Sequence, residues 1–446
     1  MKIPYEVLCI VSITTLVLPQ PQPSTSSVLR NVEILADVIN KGDYLTVEKI
    51  VVSIITPFLN VFTSVIRQIF DGTESPEIKY LRQLSERLVR RFDVVEDQFS
   101  HHINTLVNCS VVEVSYLTLE SKIHAVSHEF RRLFQVPSSG ISEQKKIFIN
   151  NYENDYLSSG SKLFAGFMID DGTASQGLIR PTMKFTDNNR RAMGEVMLGI
   201  LKLLLIAAEV ELGYLGIKGY DNIASFYSQQ WRVRIERVQE KMKTIDEELK
   251  NAYYGQSLKD IDRFALDNNL LSNQNFSERL YHKLSRKYFW RNWLVVTSTH
   301  TEGRHDAHSR VCTGVIKSVH SKDIVVDSVD HEKPYFNIGE VKLLQSSLQS
   351  TCENTTRYIS CHHGCTGHCR KQPVRRCGTY VNYNDADDIF NWFSTVRTSC
   401  SPYSSVGIIA TDKQAAYHAS PVGGSSNRLF VSDLGIHCKY KVHFFG

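Results

Sequence analysis

The sequence predicts an α+β protein: an N-terminal long-helix antiparallel bundle over residues 28–290, then a small disulfide-rich β domain over 291–446. Three observations carry that expectation. No proline or glycine interrupts the chain between Pro76 and Pro137. After Tyr288, short β-branched and aromatic runs replace helical spacing. Of the ten cysteines, eight lie beyond residue 310.

The elements follow in order. One lysine, an apolar run from Val7 to Leu18 and a Pro/Gln exit at 19–23 form a signal peptide over residues 1–23. The run is shorter than the ~20 residues of an ordinary membrane span. Ser75-Pro76-Glu77 is a helix start, with serine as N-cap and proline in the first turn. Leu84, Leu88, Phe92, Val95, Phe99, Ile103 and Leu106 then recur at steps of three and four, one stripe of a helix. Val136-Pro137-Ser-Ser-Gly140 ends it, and a break near Cys109 to Thr118, where β-branched residues cluster, is an equal alternative to one unbroken helix. A looser Gly/Ser-containing region is expected at 150–185. Two further long helices are expected at about 188–215 and 222–253, the second carrying Trp231, Val233, Ile235, Val238, Met242, Ile245 and Leu249. The stretches 50–66 and 197–208 are more apolar than a surface helix, which fits helices buried on all sides at the bundle centre. The alternative is a hairpin that enters a membrane after a conformational change.

Strands are expected at 293–299, 314–319, 323–329, 406–410, 428–432 and 440–445, separated by Gly, Pro, Asn and Ser. Cys312, Cys352, Cys361, Cys365, Cys369, Cys377, Cys400 and Cys438 are the disulfide candidates of this region. An oxidising compartment favours four bridges, with 105 connectivities open. Cys9 leaves with the signal peptide, and Cys109 is a buried free thiol or an intermolecular bridge. Asn275 and Asn354 head plausible glycosylation triplets. Asn108 heads a third, less suited because it sits in a helical stretch beside a cysteine.

Lys plus Arg number 51 and Asp plus Glu 47, for a net charge of +4. That balance argues against a nucleic-acid partner, which selects a concentrated basic excess. No nucleophile elbow, phosphate loop, dinucleotide fingerprint or carboxylate pair is present. No catalytic, cofactor or metal residue is therefore assigned. His124 and His128 stand one helical turn apart, but the glutamate, Glu129, follows the second histidine instead of the first. His300, Glu302, His305, Asp306 and His308 crowd one loop. In Cys361-His-His-Gly-Cys365-Thr-Gly-His-Cys369, disulfides fit a secreted chain better than zinc does. Arg370, Lys371, Arg375 and Arg376 make the following loop basic.

Phe185-Thr-Asp-Asn-Asn-Arg-Arg-Ala-Met193, the apolar helix after it, and Trp231-Arg-Val-Arg-Ile-Glu-Arg-Val-Gln-Glu-Lys-Met242 resemble the helical region of rapunzel proteins. They also resemble the cephalotoxin-like secreted proteins. Asn292-Trp-Leu-Val-Val-Thr297 and Asp323-Ile-Val-Val-Asp-Ser-Val329 are similar to the segment after the helices in that group. The resemblance covers about residues 45–345 and leaves out the tail after Thr351. It implies a secreted or surface helical protein, with salivary toxins among the relatives, and brings no catalytic residue. The expectation is a secreted, non-enzymatic protein binding an extracellular protein, a glycan or a membrane surface. A membrane-active toxin that inserts apolar helices is the first alternative. An extracellular metal-dependent enzyme using the histidines of 300–308 is the second.

Overall fold

A computed structural model describes residues 115–169, 177–300, 314–330, 336, 338–346, 404–410, 414–421, 429–433 and 440–446. The signal segment, the apolar run 50–66, all ten cysteines, Asn108 and Asn354 lie outside them. The architecture mixes helices with small antiparallel sheets. Two compact units emerge: Met1–Thr186 with Arg191–Asp246, and Asp187–Arg190 with Glu247–Gly446.

The described part of the first unit is helical: α1 (Ser115–Arg132), α2 (Ile141–Asn151), α3 (Ser159–Met168), α4 (Ile179–Phe185), α5 (Arg190–Ile217) and α6 (Asp221–Asn251). The region expected to be loose, 150–185, instead holds α3 and α4. Gly160 and Gly166 of this Gly/Ser-containing region serve close packing in α3. A Cβ on Gly166 would run into the Tyr116 hydroxyl of α1, and one on Gly160 would lie 2.5 Å from the Ala207 Cβ of α5. Alternation of size across facing helices lets the backbones approach and fills the interior at crystal-like density. The stretch 197–208 lies within α5, and nearly every side chain along it is buried, Lys202 included. Its apolar character is therefore accounted for by burial on all sides. Among the described residues, no helix is long and apolar enough to cross a membrane.

The second unit contains α7 (Tyr253–Asp267) and α8 (Asn273–Lys287), then seven strands: β1 (Arg291–Thr299), β2 (Val315–Val319), β3 (Lys322–Asp330), β4 (Ser405–Ala410), β5 (Ala415–Ala419), β6 (Leu429–Asp433) and β7 (Tyr440–Phe445). The strands make two antiparallel sheets, ordered β2-β3-β1-β5 and β4-β7-β6. The larger sheet is the middle layer. On one face, Trp293 and Val295 pack with Ile261, Phe264, Phe276, Leu280 and Leu284 of the two helices. On the other, Leu294 and Val296 pack with Val325, Val329, Ile409 and Phe445. Side chains alternate faces along a strand, so a strand covered on both sides is apolar at successive positions. That is why β1 and β3 carry unbroken Leu-Val-Val and Ile-Val-Val runs. The sequence missed β5, which pairs Val296 with Tyr417 and Leu294 with Ala419. Its Ala-Ala-Tyr-His-Ala run has little β-propensity, and its strand partner lies more than a hundred residues earlier.

One buried carboxylate ties the two helices to each other. Asp260 of α7 accepts a hydrogen bond from the Tyr288 hydroxyl at 2.7 Å and pairs with the Lys287 ammonium at 2.7 Å. The Gln256 amide donates to its other oxygen at 3.3 Å. Burial, then the bond to Asp260, pushes the Tyr288 phenol well above its ordinary range. Removing Asp260 leaves a lysine and a hydroxyl without their partner in a dry place. Asp260→Ala should therefore lower the unfolding free energy by ~3 kcal/mol in chemical denaturation. A loss under ~1 kcal/mol would show that this network does not secure α7 on α8.

Candidate functional site

The hairpin between α5 and α6 begins with a left-handed glycine. Gly219 has φ +72°, the conformation glycine adopts without a Cβ penalty. The Tyr220 N–H returns to the Leu215 carbonyl at 2.9 Å and the Gly219 N–H to the Gly216 carbonyl at 3.1 Å. This pair of bonds closes α5 by satisfying two of its terminal carbonyls. The chain reverses within three residues, and α6 starts at Asp221.

A carboxylate buried between the two arms anchors the hairpin. Glu211 of α5 accepts from Trp231 Nε1 of α6 at 2.8 Å and from the Tyr156 hydroxyl at 2.9 Å. The Tyr156 hydroxyl in turn accepts from the Gly160 backbone N–H at 3.1 Å. Burial pushes the Glu211 carboxyl above its ordinary range, against the pull of its two donors. Arg234 lies over the Trp231 ring at 4.9 Å and donates to the Ser161 hydroxyl at 3.0 Å.

Tyr156 is placed by an unusual local backbone. After α2 the chain widens into a π-turn at Tyr152–Tyr156, followed by Leu157 and Ser158 with φ of 47° and 59°. Two successive non-glycine residues in the left-handed region cost of order 1–3 kcal/mol each and persist only where the surroundings hold them. Here the holding groups are aromatic and charged. The Tyr152 ring stacks on Tyr156 and on Tyr214 at centroid distances of 4.9 and 4.0 Å. The Tyr214 hydroxyl donates to Glu153 at 2.7 Å, and Lys218 pairs with the same carboxylate at 2.9 Å. The Tyr214 bond, then Lys218, holds the Glu153 carboxyl below its ordinary range. Burial, then the Glu153 bond, pushes the Tyr214 phenol up to about 12.

Beyond this anchor the hairpin tip is exposed and apolar. The inward stripe of α6 is Ala224, Ser228, Trp231, Ile235, Val238, Ile245 and Leu249. Tyr220, Ile223, Phe226 and Tyr227 stand off that stripe, and Phe226 is 60% exposed. Val233, named in sequence among the apolar residues of this helix, is exposed. Ile223, Phe226, Gln230, Val233 and Arg237 follow one another at steps of three and four, so an exposed arginine ends the apolar line.

The residues singled out in sequence fare unevenly. His128 of α1 is exposed and His124 half-buried on the same helix. Asn275 is exposed in the first turn of α8. His300 lies at the end of β1, where its Nδ1 is 2.8 Å from Asp323 Oδ1, and the Ser318 hydroxyl donates to that same oxygen at 2.6 Å. Glu302, His305, Asp306 and His308 lie outside the described residues, as do the 361–369 cluster and the basic residues after it. Among the described residues, no three His, Cys, Asp or Glu side chains converge as metal ligands would. The partners Asp323 and Ser318 were not foreseen. A Ser-to-Asp interval of five residues across a tight hairpin was the available signal. A second pair, His443 and Asp327, is fully buried with Nε2 and Oδ2 3.4 Å apart. It joins facing strands of the two sheets and has no sequence signature.

Residues 71–270 match the family model for the cephalotoxin-like middle helical domain. A protein named rapunzel, from Danio rerio, is 22% identical over 194 residues, which is 43% of this chain and 84% of that protein. No solved structure matches the chain. The resemblance to rapunzel and cephalotoxin-like proteins thus holds over the helical region.

Two outcomes check the anchor. A Cβ on Gly160 would also crowd the Tyr156 hydroxyl, so Gly160→Ala should destabilise by ~1–3 kcal/mol, read by thermal unfolding. An unchanged transition would contradict the packing. The Glu211 carboxyl is raised in the folded state, so the native chain holds that proton more tightly than the unfolded chain. Its contribution is unfavourable at neutral pH, eases as pH falls through the raised value, and is fully relieved below the ordinary 4.5. The stability of the wild type relative to Glu211→Gln should therefore rise on acidification from pH 7 toward 4.5. A difference independent of pH would contradict the burial of the charge.

Proposed function

With residues 71–270 carrying the cephalotoxin-like middle helical domain, we propose that this chain is a secreted, non-enzymatic protein that binds a membrane surface through its α5–α6 tip. The observation that carries the reading is the exposed line of Tyr220, Ile223, Phe226 and Tyr227 on a turn that the Glu211 anchor holds in place. An exposed apolar patch of this kind marks a surface that meets something else. Tyrosines with an apolar body and a polar tip suit the boundary between headgroups and acyl chains. Arg237 at the far end of the line has the charge that lipid phosphates would meet. In this reading the helices of 28–290 pack as an antiparallel bundle. The eight cysteines beyond residue 310 form disulfides that staple the C-terminal strands in the oxidising exterior.

A second reading has the apolar α5 leave the interior and enter lipid, as a membrane-active toxin would. Its support is the run Met197–Ala208, with Lys202 as its one charge. The two readings differ in consequence, because peripheral binding leaves vesicles sealed and insertion makes them leak.

The Ile223→Ser, Phe226→Ser double variant should bind protein-free vesicles or cells at least about tenfold more weakly, since truncating two exposed anchors removes ~1–2 kcal/mol each. Its unfolding midpoint should stay near wild type, because both side chains already face water. Vesicle sedimentation and surface binding to protease-treated cells read this out. Wild-type binding by the variant would sink the role of the tip. Binding to cells that protease treatment abolishes, with none to vesicles, would reassign the tip to a protein partner.

A further inference from the structure

We propose that Asn275 is an N-glycosylation site that is used before its helix folds. The inference rests on the secretory reading above. Asn275-Phe276-Ser277 is the one Asn-x-Ser/Thr triplet within the described residues. Ser272 caps α8 by accepting from the Asn275 backbone N–H at 3.3 Å, which sets Asn275 in the first turn. The residue is exposed, and so are its neighbours Gln274, Glu278 and Arg279. Among the described residues, a glycan on Asn275 Nδ2 would stand over exposed polar neighbours.

The other two members of the triplet face inward. Phe276 is fully buried, edge-on to Phe264 at 5.1 Å. Ser277 is fully buried as well; its hydroxyl donates to the Gln274 carbonyl at 3.0 Å and lies 3.3 Å from His418 Nδ1 of β5. The acceptor triplet is read through both the asparagine amide and the hydroxyl two residues on. In the folded chain an enzyme reaches the first and not the second. Transfer must then take place while residues 272–277 are still extended, before α8 closes on β5. The chemistry is a displacement at the anomeric carbon of a lipid-pyrophosphate-linked oligosaccharide. Asn275 Nδ2 forms the new C–N bond, the C–O bond to pyrophosphate breaks, the lipid pyrophosphate leaves with the electron pair, and the amide gives up one proton.

Ser277→Thr would favour the acceptor but adds a methyl at a fully buried position, so Asn275→Gln is the cleaner control. The full chain is expressed in secretory animal cells, and the peptide spanning Asn275 is analysed by mass spectrometry from the medium. Glycan on most of the secreted chain is expected, lost in Asn275→Gln with secretion unchanged. In parallel, the full chain from a host lacking the transferase is incubated with the enzyme and its lipid-linked donor, folded and after denaturation. Modification at Asn275 at least tenfold lower in the folded form is expected. A secreted chain bare at Asn275 would overturn the site while leaving secretion standing. Equal modification of folded and unfolded chains would overturn the order of events. A chain kept in the cytosol would overturn the secretory reading, and the site with it.

Discussion

Glu211 sits where water scarcely reaches it, and the described helical unit is arranged around that placement. A carboxylate out of water is costly unless donors surround it. The two donors here come from elsewhere in the chain: Trp231 from the next helix and Tyr156 from a π-turn more than fifty residues earlier. Their meeting fixes the register of α6 against α5 and gives the strained Leu157–Ser158 backbone its reason to persist. The same constraint makes Gly160 necessary, because a larger residue would push the Tyr156 hydroxyl off its bond. The exposed tip follows from this. Once the arms are locked at Trp231, Ile223, Phe226 and Tyr227 fall off the inner stripe and stand exposed.

The second unit solves a different problem. Its larger sheet has helices on one face and a smaller sheet on the other, so polar groups on its strands need internal partners. Asp323 finds His300 and Ser318 at the strand end. Asp327 faces His443 on the smaller sheet, at a distance long for a strong hydrogen bond. On the helical side, Asp260 gathers Tyr288, Lys287 and Gln256. Asp327 thus marks the seam between the two sheets, whereas Asp323 ties strand ends within one sheet and Asp260 ties the two helices to each other.

What was legible in the sequence was what depends on neighbours along the chain. The apolar period of α5 and α6 and the β-branched runs of β1 and β3 are local signals, and those elements lie close to where they were expected. What was illegible depends on pairs distant in sequence. β5 owes its strand state to β1, not to its alanines. The Gly/Ser-containing region 150–185 reads as loose until the facing Ala207 and Tyr116 explain Gly160 and Gly166. The tip escaped notice because Ile223, Phe226 and Val233 look like core residues until the buried stripe of α6 is known to run through Trp231 and Ile235. The histidine-rich loop drew attention by composition, yet the imidazole that the structure places has a carboxylate and a hydroxyl as its neighbours, residues that carry no motif.

The anchored tip is the surface proposed to meet the membrane. Hydroxyl-radical footprinting of the full chain, free and bound to membranes, tests it residue by residue. Protection concentrated at Tyr220, Ile223, Phe226 and Tyr227 is expected, with the buried Trp231 unchanged. Bound chain in which those four remain as reactive as in the free protein would contradict it.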